Sequence, residues 1–135
     1  MTDSLEEEND SRTPLEFFED GYREFCEGRY FEAHDTWEEF WHRLRGSDRR
    51  FLQGLIHMAV GAYHYENGNT SGARSQWGKC RDKLEPYPAG HWGVDVSDWI
   101  AWIEHYLEGR DMESFPPRLR FERSGFPSDL IMAAG

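Results

Sequence analysis

Three ionisable side chains lie close together in one short segment: His34, Asp35 and Glu38. On a helix, residues four apart share a face, so the imidazole of His34 can touch the carboxylate of Glu38. An imidazole beside a carboxylate can bind a transition metal or transfer a proton. The same pair can also form a hydrogen-bonded packing contact between helices. These residues therefore indicate three different kinds of site.

A second polar stripe lies on the following helix, at Gln53, His57 and His64. The other positions of that helix are mostly apolar, so we expect the helix to be central, with Gly54 and Gly61 leaving room for a neighbour. A buried imidazole or amide without a partner costs about 1–3 kcal/mol. The preceding helix offers partners of the right type. We therefore predict that the two helices meet through one cluster, formed by His34, Asp35, Glu38, Gln53, His57 and His64.

The cluster has three interpretations. Our first choice is a structural joint that fixes the register of the two helices, in a binding or scaffold protein without a cofactor, whose partner protein or small molecule the residues do not identify. The alternative is a metal-dependent hydrolase or related enzyme that holds zinc or another divalent transition metal through His34, Glu38, His57 and His64. The third is an acid/base site. The absence of paired Glu-x-x-His motifs and of a His-Glu-x-x-His signature favours the joint.

The charge of the chain bears on its partners and its habitat. The net charge of -11 argues against a nucleic acid bound through a broad basic surface. No run of about 18 apolar residues is present, so we expect no membrane-spanning helix. Lys79 and Lys83 are the only lysines beside thirteen arginines. Strong acidity with so little lysine predicts a high-salt cytoplasm, which equal thermal stability in low salt and in molar KCl would contradict.

The positions of the cysteines and of two tryptophans carry further predictions. Cys26 and Cys80 fall on apolar helical faces and are expected to be buried thiols in a reducing cytoplasm. Trp99 and Trp102 are expected to form an aromatic surface that could seal a homodimer. The His91-Trp92 pair lies in a loop and is interpreted as incidental.

The hydrophobic periodicity predicts an all-α fold with about five helices and no substantial sheet. The first helix begins after Thr13, with Glu16 completing a capping box, and ends at Gly28. The others are expected at about 30–45, 48–67, 71–85 and 97–108. We predict a disordered acidic tail over residues 1–12, a helical domain over 13–109, and an extended C-terminal arm over 110–135 that packs on the domain.

The sequence repeats itself at an offset of forty residues. A helix, a turn with glycine, a small residue, a tryptophan and a leucine occur twice in the same order. Such repetition predicts two stacked helical hairpins, with the fifth helix capping the stack. The equivalent pairs are Gly28 and Gly68, Ala33 and Ala73, Trp37 and Trp77, Leu44 and Leu84, and Phe25 and Tyr65.

The same segment resembles the domain-of-unknown-function family numbered three hundred and nine. The resemblance covers residues 15–84. It implies a small all-helical protein of a family that occurs in bacteria and archaea and has no established activity. It rests on an ordered set of motifs: Gly28-x-Tyr30-Phe31-Glu32-Ala33-His34-Asp35-x-x-Glu38-x-x-Trp41, Phe51-Leu52-Gln53-Gly54-Leu55-Ile56, Ala59, Tyr63-His64 and Gly68-Asn69-x-x-Gly72-Ala73.

The chain departs from the family pattern at two positions of the cluster. Asp35 stands where the family has Glu, and His57 stands where it has Gln. The positions that match are His34, Glu38, Gln53 and His64. The resemblance therefore implies that any site shared by the family is built from those four.

Overall fold

The computed structural model describes residues 10–110 and 118–134. In this part of the chain five α-helices are joined by short connections, and the strands are only two residues long, which confirms the predicted all-α fold. The helices are α1 (Pro14–Cys26), α2 (Tyr30–Arg43), α3 (Arg49–Glu66), α4 (Thr70–Leu84) and α5 (Ser97–Leu107), and the strands are β1 (Leu44–Arg45), β2 (Val94–Asp95), β3 (Arg120–Phe121) and β4 (Ile131–Met132).

Helix α1 begins at the predicted capping box. The Oγ1 atom of Thr13 accepts a hydrogen bond from the backbone N–H of Glu16 (3.1 Å), and the Glu16 carboxylate accepts one from the N–H of Thr13 (2.8 Å). Pro14 follows the cap, where the lack of an N–H costs no helical hydrogen bond. Two of the otherwise unpaired donors of the helix end are thereby satisfied.

The two hairpins, α1–α2 and α3–α4, turn in the same way. Gly28 and Gly68 follow the first helix of each hairpin with φ values of 78° and 76°, a left-handed conformation that glycine adopts without a Cβ clash. The N–H of Arg29 then donates to the carbonyl of Glu24, and that of Asn69 to the carbonyl of His64. These equivalent bonds confirm the repeat at an offset of forty residues.

A tryptophan of the second helix closes each hairpin. The Nε1 atom of Trp37 donates to the backbone carbonyl of Phe18, and Nε1 of Trp77 donates to that of Met58, both at 3.1 Å. Both indoles are fully buried. The hydrogen bond satisfies the polar atom of each ring, so the rest of its surface contributes to the core.

A glycine of the first helix makes room for each indole. A Cβ atom on Gly21 would lie 2.2 Å from Nε1 of Trp37, and one on Gly61 would lie 2.4 Å from Cδ1 of Trp77. Neither distance is sterically allowed, so these positions require glycine for the helices to approach closely. Gly21 and Gly61 are also forty residues apart, so they form a further equivalent pair of the repeat, beyond those predicted.

Helix α5 covers the open side of the second hairpin. Trp99 lies between the two hairpins, with its ring centroid 5.3 Å from Phe25 and 6.3 Å from Trp77. Trp102 packs edge-on against Trp77 at 5.1 Å and stacks on Tyr106 at 5.5 Å. Trp99 and Trp102 are both buried within one chain. The prediction that they form an exposed aromatic surface is therefore wrong, whereas the homodimer stays a prediction.

The segment 118–134 returns along the first hairpin. Strand β3 pairs antiparallel with β2, and β4 pairs antiparallel with β1. The hydroxyl of Tyr22 donates to the carbonyl of Leu119 (3.1 Å), and Phe121 and Phe126 pack around Phe18 at 4.7 and 5.5 Å. The boundaries proposed for the tail, domain and arm stay predictions, and residues 1–9 and 111–117 lie outside the described part.

The predicted helix over residues 30–45 is two residues too long. Helix α2 ends at Arg43, and Leu44 is extended, with φ of -65° and ψ of 137°. Leu44 pairs with Met132, and the carbonyl of Arg43 accepts a hydrogen bond from the N–H of Ala133 (2.7 Å). The arm thus satisfies backbone groups that another helical turn would have paired, a long-range effect that the local pattern does not contain.

Replacing Gly61 with alanine is expected to lower the free energy of unfolding by about 1–3 kcal/mol or more, because the new Cβ atom forces the Trp77 indole to move. Gly78 on α4 is the matched control, since a Cβ atom there meets nothing within 4 Å. Gly78→Ala should keep or raise the stability, by up to about 1 kcal/mol. Urea denaturation of both variants measures the difference, and equal effects would contradict the proposed role of Gly61.

Candidate functional site

The α2 members of the predicted cluster lie together at the surface. Nε2 of His34 is 3.3 Å from Oε2 of Glu38, and Nδ1 of His34 is 3.7 Å from Oδ1 of Asp35. The second distance is too long for a hydrogen bond. Nδ1 of His34 is in fact buried without a partner among the described residues. The carboxylates of Asp35 and Glu38 are exposed, whereas the imidazole is mostly covered.

The imidazole of His34 borders an aromatic surface that crosses from α2 to α3. Its ring centroid is 5.4 Å from that of Phe31, which is itself 5.4 Å from Tyr63, and Tyr63 is 5.7 Å from His64. Phe31 and Tyr63 are 49% and 37% exposed. We call Phe31, His34 and Tyr63 the α2–α3 aromatic surface. Two large rings that contact each other across helices while facing water are unusual for residues that only fill a core.

The other end of the α2–α3 contact is formed by Trp41. Its Nε1 atom donates to the backbone carbonyl of Arg49 (3.0 Å), and the Arg49 guanidinium lies over the indole, 3.9 Å from its centroid. The cation–π contact and the hydrogen bond join the last turn of α2 to the first turn of α3. Trp41 thus positions α3 relative to the residues on α2.

The α3 members of the predicted cluster turn towards α4 instead of α2. Nδ1 of His57 donates to Oε1 of Gln76 on α4 (2.8 Å). Gly54 and Gly61 do receive a neighbouring helix, as predicted, but it is α4, through Leu84 and Trp77. The predicted pairing of His57 with a residue on α2 is therefore wrong.

His64 takes part in the turn between α3 and α4. Nδ2 of Asn69 donates to Nδ1 of His64 (3.3 Å), while Oδ1 of Asn69 caps α4 by accepting from the N–H of Gly72 (2.9 Å). His64 therefore supports a helix cap. Gln53 is half-buried, and its side chain has no hydrogen-bond partner within residues 10–110 and 118–134.

The six predicted residues thus form two groups, one on α2 and one on α3 whose histidines bond to residues of α4 and of the α3–α4 turn. No hydrogen bond or ion pair of the described chain joins the group His34, Asp35 and Glu38 to the group Gln53, His57 and His64. Within the same residues no three His, Cys, Asp or Glu side chains converge as metal ligands would. The role of these residues in a site stays a prediction.

The pKa of His57 is lowered, mainly because burial disfavours the charged imidazolium. The nearby cations Lys79 and Lys83 lower it further, whereas the hydrogen bond to Gln76 raises it. The neutral imidazole is therefore the form that the folded protein favours. A neutral His57 can donate from Nδ1 and keeps an acceptor at Nε2.

The loop before α5 contains a polar contact that the sequence did not reveal. Oδ1 of Asp48 accepts from Nε2 of His91 (3.1 Å), and Oδ2 accepts from Nε1 of Trp92 (2.9 Å). Trp92 is buried and has a φ of 60°, which is rare for a bulky residue. The interpretation of His91-Trp92 as incidental is wrong, because the pair fixes this loop to the start of α3. Only the flanking Gly90 and Gly93 gave a local sign of an unusual backbone.

Cys26 is also placed differently from the prediction. It is exposed at the end of α1, whereas Cys80 is fully buried, and burial raises the pKa of the Cys80 thiol. An open cavity of about 640 Å³ lies beside Gly93, Arg120 and Gly125. None of the six residues of the predicted cluster lines this cavity.

A comparison with known proteins finds a family model that matches part of the two hairpins. Residues 18–76 match the family model of DUF309, a domain of unknown function. The match confirms the resemblance seen in the motifs. It runs from α1 into α4 and includes both groups of polar residues, whereas α5 and the arm lie outside it.

One curated relative is similar to this chain over a shorter stretch. The uncharacterized protein YpuF of Bacillus subtilis (strain 168) is 41% identical over 46 residues, which are 33% of this chain and 26% of YpuF. The chain thus spans about a quarter of the length of that relative. Neither the DUF309 description nor the name of YpuF states an activity. Among the described helices, none is both long and apolar enough to cross a membrane.

The lowered pKa of His57 predicts a pH dependence of stability. The unfolded chain binds a proton at His57 near the usual value of 6.5, whereas the folded chain binds it only at lower pH. Stability is therefore fully present above about pH 6.5 and falls as the pH drops towards the folded-state pKa. The free energy of unfolding of His57→Gln, measured from pH 8 to pH 5 in urea, should fall less than that of the wild type. Parallel curves would contradict this role of His57.

Proposed function

We propose that the protein is a binding module that holds a segment of a partner protein on the α2–α3 aromatic surface. The observation that carries the proposal is the contact between Phe31 and Tyr63, whose rings lie 5.4 Å apart on different helices while both face solvent. Large exposed rings on rigid helices are suited to act as anchors of an interface, because they bury much area with little loss of conformational freedom.

The charges beside this surface define the chemistry of the partner. Asp35 lies one helical turn from Phe31, and Glu38 lies one turn from His34. Both carboxylates are exposed, and the chain as a whole carries a net charge of -11. The surface therefore fits an amphipathic helix whose apolar side chains cover Phe31 and Tyr63 and whose Lys or Arg side chains reach Asp35 and Glu38.

The other members of the cluster have structural roles in this proposal. His57 is hydrogen-bonded to Gln76, and His64 is hydrogen-bonded to Asn69, so both support the α3–α4 hairpin. His34 is different, because its Nδ1 atom is buried without a partner in the described chain. Its Nε2 atom lies 3.3 Å from the Glu38 carboxylate, so His34 orients an acidic side chain beside the proposed surface.

A synthetic peptide tests the proposal directly. A fluorescein-labelled amphipathic helix as long as α2, 14 residues, with leucines on one face and lysines on the other, is expected to bind the full-length protein. Phe31→Ala and Tyr63→Ala should each weaken its affinity by at least about tenfold, equivalent to about 1.4 kcal/mol. Fluorescence anisotropy measures the dissociation constant of the peptide.

Two controls separate this surface from general stickiness. Ile131 is 68% exposed on strand β4, so Ile131→Ala removes an exposed apolar side chain elsewhere and should leave the affinity unchanged. A peptide with the same leucines and glutamates in place of lysines should bind much more weakly. If Ile131→Ala weakens binding as much as Phe31→Ala, or if the acidic peptide binds equally well, the proposal is wrong.

The alternative is a metal-dependent hydrolase that uses His34, Glu38, His57 and His64. His34 and Glu38 lie side by side, as such a metal site would require. The imidazoles of His57 and His64, in contrast, are hydrogen-bonded to side chains of the second hairpin. Metal analysis of protein purified without a His tag decides between the two functions. Stoichiometric zinc, manganese or iron that is lost in His34→Ala would favour the enzyme. A metal-free protein, with an earlier thermal transition for His34→Ala, would favour the binding module.

A further inference from the structure

The opposite side of α3 carries a cluster of cations in an otherwise acidic chain. The chain has 26 acidic and 15 basic residues, yet its only two lysines, Lys79 and Lys83, both lie on α4 beside α3. Arg50 lies at the start of α3. None of these three cations forms an ion pair with a carboxylate in the described chain, whereas Arg81 between them pairs with Asp82 (3.5 Å).

The contacts between α3 and α4 place these cations along one stripe. At one end, Nη2 of Arg50 donates to the backbone carbonyl of Asp82 (3.2 Å), and the Cβ atom of Lys83 lies beside Gly54. At the other end, His57 is hydrogen-bonded to Gln76. Seven residues separate the two ends on each helix, so the stripe is about 10 Å long.

Lys79 lies between the two ends, one helical turn from Gln76 and one from Lys83. Both lysines are close enough to His57 to lower the pKa of its imidazole, so their charges lie near that end of the stripe as well. Gln53 and Gln76 add amide groups, and the hydrogen bond from Nδ1 of His57 holds the Gln76 amide in place. We call Arg50, Gln53, His57, Gln76, Lys79 and Lys83 the α3–α4 basic surface.

We propose that the α3–α4 basic surface binds a carboxylate-rich segment of a partner protein. The residues of this surface are exposed or half-buried, and none of them lines the cavity of about 640 Å³ beside Gly93, Arg120 and Gly125. An open stripe of spaced cations fits an extended chain with a carboxylate at short intervals better than it fits a small enclosed ligand. A long nucleic acid would be repelled by the net charge of -11 that the whole chain carries.

This site is independent of the proposed function, because it shares no residue with the α2–α3 aromatic surface and takes a ligand of opposite charge. A partner bound here would lie along α3 and α4 and would not cover Phe31. The two sites flank the same helix, so one protein with an acidic and a basic segment, or two different proteins, could occupy them together.

A fluorescein-labelled peptide of about six glutamates tests the site, since it spans up to about 20 Å when extended and so covers the whole stripe. The full-length wild type is expected to bind it at low ionic strength. Lys79→Glu should weaken the affinity by at least about tenfold, and Lys79→Arg, which keeps the charge, should not weaken it. Fluorescence anisotropy measures binding, and thermal unfolding verifies that each variant is folded.

Arg110→Glu is the matched control, because it makes the same change of charge at an exposed residue beyond α5. If Arg110→Glu weakens the affinity for the peptide as much as Lys79→Glu does, net charge alone determines that affinity, and the proposal is overturned. Absence of wild-type binding would overturn it as well, as would a short oligonucleotide that binds more tightly than the peptide. Phe31→Ala should leave the glutamate peptide bound, so failure here is distinguishable from failure of the proposed function.

Discussion

The close approach of an indole to a helical glycine is the constraint on which the two hairpins depend. Trp37 crosses α1 above Gly21, and Trp77 crosses α3 above Gly61, and each ring ends in a hydrogen bond to a backbone carbonyl. The hydrogen bond fixes how far along the first helix the ring lies, and the glycine fixes how near the helices come. Together they determine the register of each hairpin, so the outward side chains have fixed positions as well.

The position of α3 between α2 and α4 separates two surfaces of opposite charge. On the α2 side, Asp35 and Glu38 accompany exposed aromatic rings, and on the α4 side, Lys79 and Lys83 accompany amides and an imidazole. Ion pairs between the two sides would have neutralised both, yet none is found among the described residues. Separated charges of this kind keep their potential available to a partner, which favours orientation and rapid association over stability of the free protein.

The features that could be predicted from the sequence depend on neighbours within one hairpin. The cap at Thr13, the turn at Gly28 and the repeat of tryptophans follow from helical periodicity and from the conformational freedom of glycine. The partner of His57 could not be predicted, because a helical wheel gives the direction of a side chain but not the identity of the helix that lies there. Gly61 was the sign in the sequence that this face of α3 packs against another helix, because only a residue without a Cβ atom leaves room for Trp77 of α4.

Contacts between residues that are far apart in the sequence could not be predicted, for the same reason. Asp48 meets His91 and Trp92 across 43 and 44 residues, and neither partner has a pattern that points to the other. The same applies to the end of α2, which is determined by a strand from the far end of the chain. In the candidate site, the His34–Glu38 pair could be predicted, because residues four apart on one helix share a face. The contact between Phe31 and Tyr63 could not be predicted, because it joins two different helices.

The bonds that hold the arm differ from those of the hairpins in the length of chain that they enclose. Each tryptophan bond closes a loop of 19 residues, whereas the bond from Tyr22 to Leu119 spans 97. For a flexible chain, this difference raises the entropic cost of closure by about 1.4 kcal/mol. The hairpins can therefore form before the arm docks, and the arm is the segment that can detach while both hairpins remain folded. Such partial opening would bare Phe18 and leave the surfaces around α3 intact.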